Sequence, residues 1–370
     1  MKKQKIMIML MIAATLMAGC NNDNKTIEVN DDKPAVEEAI PVEKVDVVDN
    51  ENKEMGVEDS QEGSQGEVEV SYLSPLSGEF VNDASILEKR PIAVMLDNHK
   101  TARWQAGVSE AEIVYEILAE GTITRYMALF LENEPIRIGP VRSARPYFIN
   151  KALEYDAVYT HCGGSEQAFA DIKALGVADV DEIRNSGGSF YRYYETGKKG
   201  EHTLYTDISK IRDAQKMHKY RTDVKFEPFK FNIEDTDLEL GSVVNDIWID
   251  YKLKNITEYK YDANTKLYTR YKDGEMHIDE NNKKPIVAKN IIVQRADTNT
   301  IDSYGRYSVK LVGKGKGYYV TNGKFIEVTW EKSSRTAKTI YKDLNGNEIK
   351  LNPGKTWIQV IKLSTEMKMQ

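Results

Sequence analysis

Apolar positions along the chain fall into two rhythms. Ile92-Ala93-Val94-Met95-Leu96 is an unbroken apolar run that stops at Asp97-Asn98-His99, the pattern of a buried strand leading into a loop. Residues 112–118 and 123–130 are rich in β-branched and aromatic side chains and flank Glu120-Gly121. They predict a strand pair, although the first also fits a helical period. Residues 157–162 predict another strand, after which Gly163-Gly164 interrupts the chain. Ser165 then caps a helix over 166–175, closed by Gly176. Asp207 or Ser209 opens a further helix that runs to about Tyr220. Beyond Gly241 the rhythm shortens to β segments at 307–312, 317–320, 325–330, 336–341 and 356–361. Turn chemistry at Asn322-Gly323, Asn345-Gly346 and Asn352-Pro353-Gly354 separates several of them. The expected fold class is α+β. An N-terminal mixed α/β domain (73–235) precedes a mostly β domain (241–364), a small barrel or sandwich. Glu234, Asp235, Asp237 and Glu239 mark the boundary, and no internal repeat stands out.

The first residues belong to neither rhythm. Lys2, Lys3 and Lys5 precede the apolar run Ile6–Leu16, and Met17-Ala18-Gly19-Cys20 follows. A basic start, a short apolar core and small residues before a cut describe a secretory signal. Such a run is too short to span a bilayer, which takes about 20 residues. The segment resembles the lipobox of bacterial lipoproteins, with residues 1–19 removed and Cys20 carrying the lipid. The alternative is an uncleaved membrane anchor. With Cys20 modified only Cys162 remains, so the mature chain can form no internal disulfide.

Charge separates the next segment from the rest. Residues 20–72 carry 16 Asp/Glu against 4 Lys and have no aromatic residue before Tyr72. Such a stretch cannot bury enough apolar surface to offset its ordering entropy and is expected to be a disordered acidic tether. As a flexible coil it would hold the folded part roughly 40 Å from the lipid. The overall charge is −7 and the leader carries +3, which leaves residues 73–370 at +2. A nearly neutral folded part with an exported address argues against nucleic acid as a partner. The expected location is the outer face of the cytoplasmic membrane, with the membrane itself as one partner and envelope proteins as others.

Arginines carry the most suggestive chemistry. Arg125, Arg137, Arg142 and Arg145 fall close together, and Arg142-Ser143-Ala144-Arg145 lies between Pro140 and Pro146. The prolines stiffen this loop, and guanidinium forks match phosphate and carboxylate oxygens. Gly163, Gly164 and Ser165 sit where a strand meets a helix N-terminus, a second anion-favouring feature. Arg192, set among Tyr191, Tyr193 and Tyr194, is counted with this ligand-binding group. The competing reading pairs the arginines with Asp97, Glu112, Glu116 and Glu120 as structural ties. His161 and Cys162 are adjacent on a strand and point to opposite faces, so Cys162 is expected to be a small buried residue. His161 and His202 are candidate acid/base groups, and no HExxH or CxxC spacing predicts a metal site. The chain has no GxSxG elbow, SxxK motif or Walker A loop. Gly313-Lys-Gly-Lys-Gly317 is expected to be a flexible basic turn.

Several of these segments together resemble the YerB-like bacterial lipoprotein family. They are Glu120-Gly-Thr-Ile-Thr-Arg125-Tyr-Met, Ile138-Gly-Pro-Val-Arg-Ser-Ala-Arg145, His161-Cys-Gly-Gly-Ser165, Tyr191-Arg192, His202-Thr-Leu-Tyr205 and Leu351-Asn-Pro-Gly-Lys-Thr-Trp357. The resemblance implies two family domains of unknown function; no cofactor is expected, apart from Mg²⁺ under the second reading below. Three functions remain open. The favoured one is non-catalytic binding of an anionic envelope ligand through the arginine loop. The second is phosphotransfer or hydrolysis on a lipid-linked envelope precursor, with Asp97, Glu116 or Glu120 serving Mg²⁺ or acting as base. The third is a protein-interaction scaffold.

Overall fold

The computed structural model describes residues 72–370. The leader, Cys20 and nearly all of the tether lie outside the described residues. Strands β1 (Ile92–Asp97), β2 (Ile113–Glu120) and β3 (Ile123–Phe130) are almost entirely buried. A strand covered on both faces needs apolar residues at successive positions, which is why 92–96 shows no alternation. β2 and β3 form an antiparallel hairpin turning at Gly121, so the helical option for 112–118 is not realised. β1 pairs antiparallel with β3 and places Asp97 opposite Arg125. On its other edge β1 runs parallel to β4 (Val158–His161), and β4 runs parallel to β5 (Asp179–Asp181). Parallel neighbours need crossovers. Helix α1 (Pro146–Glu154) leads into β4, and α2 (Glu166–Ala174) joins β4 to β5. Ser165 Oγ accepts the Ala168 N–H at 3.2 Å to cap α2. Asp207 does the same for α3 (Ile208–Met217), accepting from Lys210 N at 2.9 Å. Helix α1 is not expected from the sequence, where Pro146 reads as a loop stiffener. At the first helical position proline costs nothing and presets φ.

The rest of the chain supplies β6 (Asp246–Asp250), β7 (Ile256–Asp262), β8 (Leu267–Lys272), β9 (Asn290–Ala296), β10 (Gly313–Thr321), β11 (Lys324–Lys332), β12 (Thr356–Lys362) and β13 (Glu366–Met369). These strands do not close on themselves. From one edge to the other, an eleven-stranded sheet runs Ser242–Val243, β11, β10, β9, β12, β2, β3, β1, β4, β5, with Ile340–Lys342 also paired to β11. At its centre β12 lies parallel to β2, from Thr356 opposite Ile113 to Val360 opposite Ile117. The expected self-contained barrel or sandwich after residue 241 is therefore corrected. β12 is buried on both faces and needs a partner on each edge, and one of those partners is β2. A second, antiparallel sheet is built from β8, β7, β6 and β13 with two short additions. The fold is mostly β, with three α-helices among the described residues.

Gly313–Gly317 also departs from expectation, since it forms the start of β10 and pairs with β11. Its glycines make room for neighbours. A Cβ on Gly315 would meet the Trp330 indole at 2.7 Å, and one on Gly317 would meet the Val293 carbonyl oxygen at 2.3 Å. Read in isolation, the Gly-Lys alternation looks like a turn.

Alternation along β2 assigns the two faces of the large sheet. Tyr115 points to the helices, its hydroxyl 2.7 Å from that of Tyr155 just beyond α1. Glu116 points to the second sheet and is fully buried there. Its carboxylate receives Arg270 Nη2 at 2.5 Å, Lys272 Nζ at 2.9 Å and the Thr124 hydroxyl at 2.7 Å. Arg270 in turn lies over the Trp357 ring at 4.3 Å and contacts His277 Nδ1 at 2.5 Å. On the helix face the buried Glu154 meets Lys151 at 3.0 Å and Lys332 at 2.9 Å. Each cluster thus joins a carboxylate from the first half of the chain to at least one ammonium or guanidinium from the second.

Removing one member of a buried ionic cluster strands the others without water, at a cost of about 3–5 kcal/mol. Glu116→Ala is expected to lower unfolding free energy by that amount in urea denaturation monitored by circular dichroism. The Glu116 carboxyl, raised by burial but lowered further by Lys272 and Arg270, is held at about 2 against an ordinary 4.5. A carboxyl depressed on folding gives stability that is complete above the unfolded value and lost as pH falls through the folded one. Unfolding free energy should therefore decline between pH 4.5 and about 2. Glu116→Gln should flatten that part of the pH profile.

Candidate functional site

Backbone hydrogen bonds lay the arginine loop across the ends of β1 and β4. Arg142 N donates to Met95 O at 2.9 Å, Val141 N to Leu204 O at 2.8 Å, and Ala144 N to Gly163 O at 2.9 Å. Pinned in this way, the loop sends its two arginines to different places. Arg145 reaches Glu120 in a close ion pair and donates to Ala144 O at 2.7 Å. Arg125 shares the same carboxylate at 3.0 Å and donates to Ser143 O at 2.9 Å. Arg125, Arg145 and Glu120 are thus a structural brace, and Glu120 is not placed as a free base. Glu116 is likewise sealed in the core between its two cations and cannot meet a ligand. Arg137 stacks on Tyr193, its Cζ 3.8 Å from the ring centroid.

Arg142 turns the other way, into a polar cluster at the end of β1. Its Nε lies 2.8 Å from Asp97 Oδ2, a charge contact rather than an aligned hydrogen bond, and Nη2 donates to Glu201 at 3.1 Å. His202 Nδ1 is 2.9 Å from the same Asp97 oxygen, and its Nε2 is 2.8 Å from Thr101 Oγ1. His99 stacks on His202 with ring centroids 5.5 Å apart, and its Nδ1 lies 2.7 Å from Thr101 Oγ1. Burial raises the Asp97 carboxyl, but Arg142, the His99 backbone N–H and His202 together outweigh it and hold it below the usual range. Asp97 and His202 were legible as candidates. Thr101 and His99 were not, because only folding brings residues 97–101 against residue 202.

Arg145 also walls a cleft of about 660 Å³ between α1, α2 and the residues around 301–309. Arg306, Arg335, Ser165, Tyr147 and Tyr307 line it as well. Arg306 pairs with Asp302 at 2.5 Å, and Arg335 forks onto Asp171 at 2.9 and 2.6 Å. Arg145 is 7% exposed, and its buried Nε has no hydrogen-bond partner among the described residues. Arg306 and Arg335 lie far from the arginine loop in sequence and carried no local signal.

The remaining candidates serve structure. His161 is fully buried, with Nδ1 2.8 Å from Gly163 O and Nε2 3.3 Å from Asp179. Gly163 N already donates to Asp181 at 2.6 Å, and Gly164 forms a bridge to Ala144. The Gly163-Gly164 segment is thus tied into the fold, and of the motif only Ser165 reaches the cleft. Arg192 is exposed and ties down the 200–203 turn through Gly200 O at 3.2 Å. No group of three His, Cys, Asp or Glu able to hold a metal ion occurs among the described residues. The carboxylates assigned to Mg²⁺ in the phosphotransfer reading are each paired with cationic side chains.

Comparison with known proteins agrees with the extent of this fold. Residues 76–221 match the family model described as the N-terminal domain of a protein of unknown function (DUF3048), and residues 247–358 match its C-terminal domain. YerB of Bacillus subtilis (strain 168), classed among lipoproteins by its name, is 34% identical over 292 residues, which is 78% of this chain and 86% of YerB. The crystal structure of YerB matches with a TM-score of 0.72 and 31% identity, covering 80% of this chain and 99% of that one.

Cys162 is half-buried, with Sγ 3.5 Å from Glu182, and burial together with that carboxylate pushes its thiol up to about 12. A thiol needs to ionise to react. The native protein should therefore resist iodoacetamide at pH 8, and urea-unfolded protein should be alkylated rapidly, as read by intact mass.

Proposed function

The chain belongs to the DUF3048 family of YerB-like lipoproteins, and from that premise we propose that it binds an anionic envelope ligand in the cleft walled by Arg145, Arg306 and Arg335. In this reading Cys20 carries the lipid on the outer face of the cytoplasmic membrane, and residues 20–72 tether the cleft above it. The supporting observation is that three arginines far apart in sequence, Arg145, Arg306 and Arg335, line one cleft together with Ser165. Guanidinium forks match the oxygens of a phosphate or carboxylate. The Arg306 and Arg335 pairs fix two more guanidinium groups around the same space, and Ser165 marks the N-terminal end of α2 facing it. In this reading recognition falls to Arg145 rather than Arg142, whose side chain meets Asp97 and Glu201.

The test is calorimetric titration of the full-length lipoprotein in detergent with inorganic pyrophosphate and with a carboxylated wall fragment. Each charged hydrogen bond contributes about 1.5–3 kcal/mol, so Arg306→Ala and Arg335→Ala should each weaken binding roughly tenfold or more. Arg142→Ala should leave it unchanged. Equal binding by the Arg306/Arg335 double variant, or no binding of either probe by the native protein, would overturn the proposal.

A further inference from the structure

The polar cluster at the end of β1 carries chemistry that anion binding does not use. Thr101 is exposed, and its Oγ1 stands 2.8 Å from His202 Nε2. The opposite ring nitrogen stands 2.9 Å from Oδ2 of Asp97, whose side chain is 3% exposed. Hydroxyl, imidazole and carboxylate are therefore in series, each within hydrogen-bond reach of the next and graded from solvent to interior. That is the order a base-activated nucleophile requires, and it is recognised by geometry and not by sequence position. We propose that Thr101, His202 and Asp97 form an acyl-transfer site in which Thr101 Oγ1 attacks carboxylic esters.

Hydrogen accounting supports the assignment of roles. Thr101 has one hydroxyl hydrogen and two imidazole neighbours, so only one ring can accept it. His202 Nδ1 faces a carboxylate that Arg142, at 2.8 Å, helps keep ionised, so the ring hydrogen sits there and leaves Nε2 as the acceptor. His99 Nδ1, 2.7 Å from the same oxygen, then carries a hydrogen and donates to Oγ1. This favours the 2.7 Å contact over the longer 3.3 Å approach of Thr101 N to His99 Nδ1. A donor on Oγ1 from one ring and a base on the other both favour the oxygen as it gives up its proton. Asp97 and Arg142 are positioning residues here, because they act through His202.

The step balances without an oxidant or metal. His202 Nε2 takes the Thr101 proton while an Oγ1 electron pair bonds to the ester carbonyl carbon. The carbonyl pair returns from oxygen, the C–O bond to the alcohol breaks, and the alcohol leaves with the proton from His202. Water then repeats the sequence on the acyl-Thr101 ester, giving the free acid and restoring the hydroxyl. Lys100 and Arg103, which bracket Thr101 in sequence, line a cavity of about 440 Å³ with Trp104, Lys254, Asp273 and Glu275, and Arg103 pairs with Asp273 at 2.5 Å.

The full-length lipoprotein in detergent is mixed with p-nitrophenyl acetate, with nitrophenolate release followed optically and the acetyl group located by peptide mass spectrometry. The expected result is a burst stoichiometric with protein and an acetyl group on Thr101. Thr101→Ala and His202→Gln should each reduce release on the order of 10²-fold or more, as loss of a nucleophile or general base does. Thr101→Ser should retain the adduct. Thr101 is exposed, so its variants keep the melting temperature and the test does not depend on His202→Gln folding. No acetyl group on Thr101, or release unchanged in Thr101→Ala, would overturn the proposal. Arg306→Ala leaves this assay untouched, so its outcome is separate from that of the cleft.

Discussion

A carboxylate kept ionised away from water needs cations or hydrogen-bond donors around it, and two carboxylates held by cations join the halves of this molecule. Glu116 on β2 finds Arg270 and Lys272 on β8, and all three are without solvent exposure. Glu154 on α1 finds Lys332 on β11 as well as its own neighbour Lys151. The carboxylates lie on opposite faces of one sheet, close to the seam where β12 pairs with β2. Hydrophobic packing would hold these layers together in several registers. A buried ion pair tolerates few, because any slip leaves charge without a partner. Around Glu116 the requirement spreads through Thr124, Thr257, His277 and Gln105, and Gln105 donates to the Asp97 backbone carbonyl at 2.7 Å. The end of β1, which carries the Thr101 cluster, thus rests on the network that fixes the sheets.

The arginine loop shows how one short segment can serve two places. Its backbone is tied to β1, β4 and the strand at Leu204, and along that pinned path Arg142 and Arg145 diverge. Arg142 joins Asp97 and His202, whereas Arg145 braces Glu120 and lines the cleft. Prolines on both sides keep the divergence fixed. The proximity of four arginines in sequence is therefore a poor guide to where their charges act.

Local patterns were legible wherever chemistry was local. The uninterrupted run 92–96, the hairpin around Gly121 and the Ser165 cap all describe contacts made within a few residues. What the sequence hid was partnership at a distance. β12 reads as an ordinary strand, and nothing within 356–362 states that its neighbour is 113–120. Glu116 looks like an exposed position in an alternating strand, and only the cations of β8 make its burial intelligible. The same limit explains the candidate sites. Asp97 and His202 could be suspected singly, but Thr101 gains meaning only beside His202, and Arg306 and Arg335 only beside Arg145. Gly313–Gly317 misled in the opposite sense, because the space its glycines leave is filled by Trp330 and by the Val293 carbonyl.

The seam between β2 and β12 also constrains how the molecule comes into being. A chain made from its N-terminus presents β2 early, with one edge satisfied by β3 and the other bare until Thr356–Lys362 has been synthesised. An unpaired central strand is a template for wrong pairing, and contacts between distant positions form slowly. The first half therefore cannot reach its final sheet on its own, and the whole polypeptide must be present before the middle of the molecule can close.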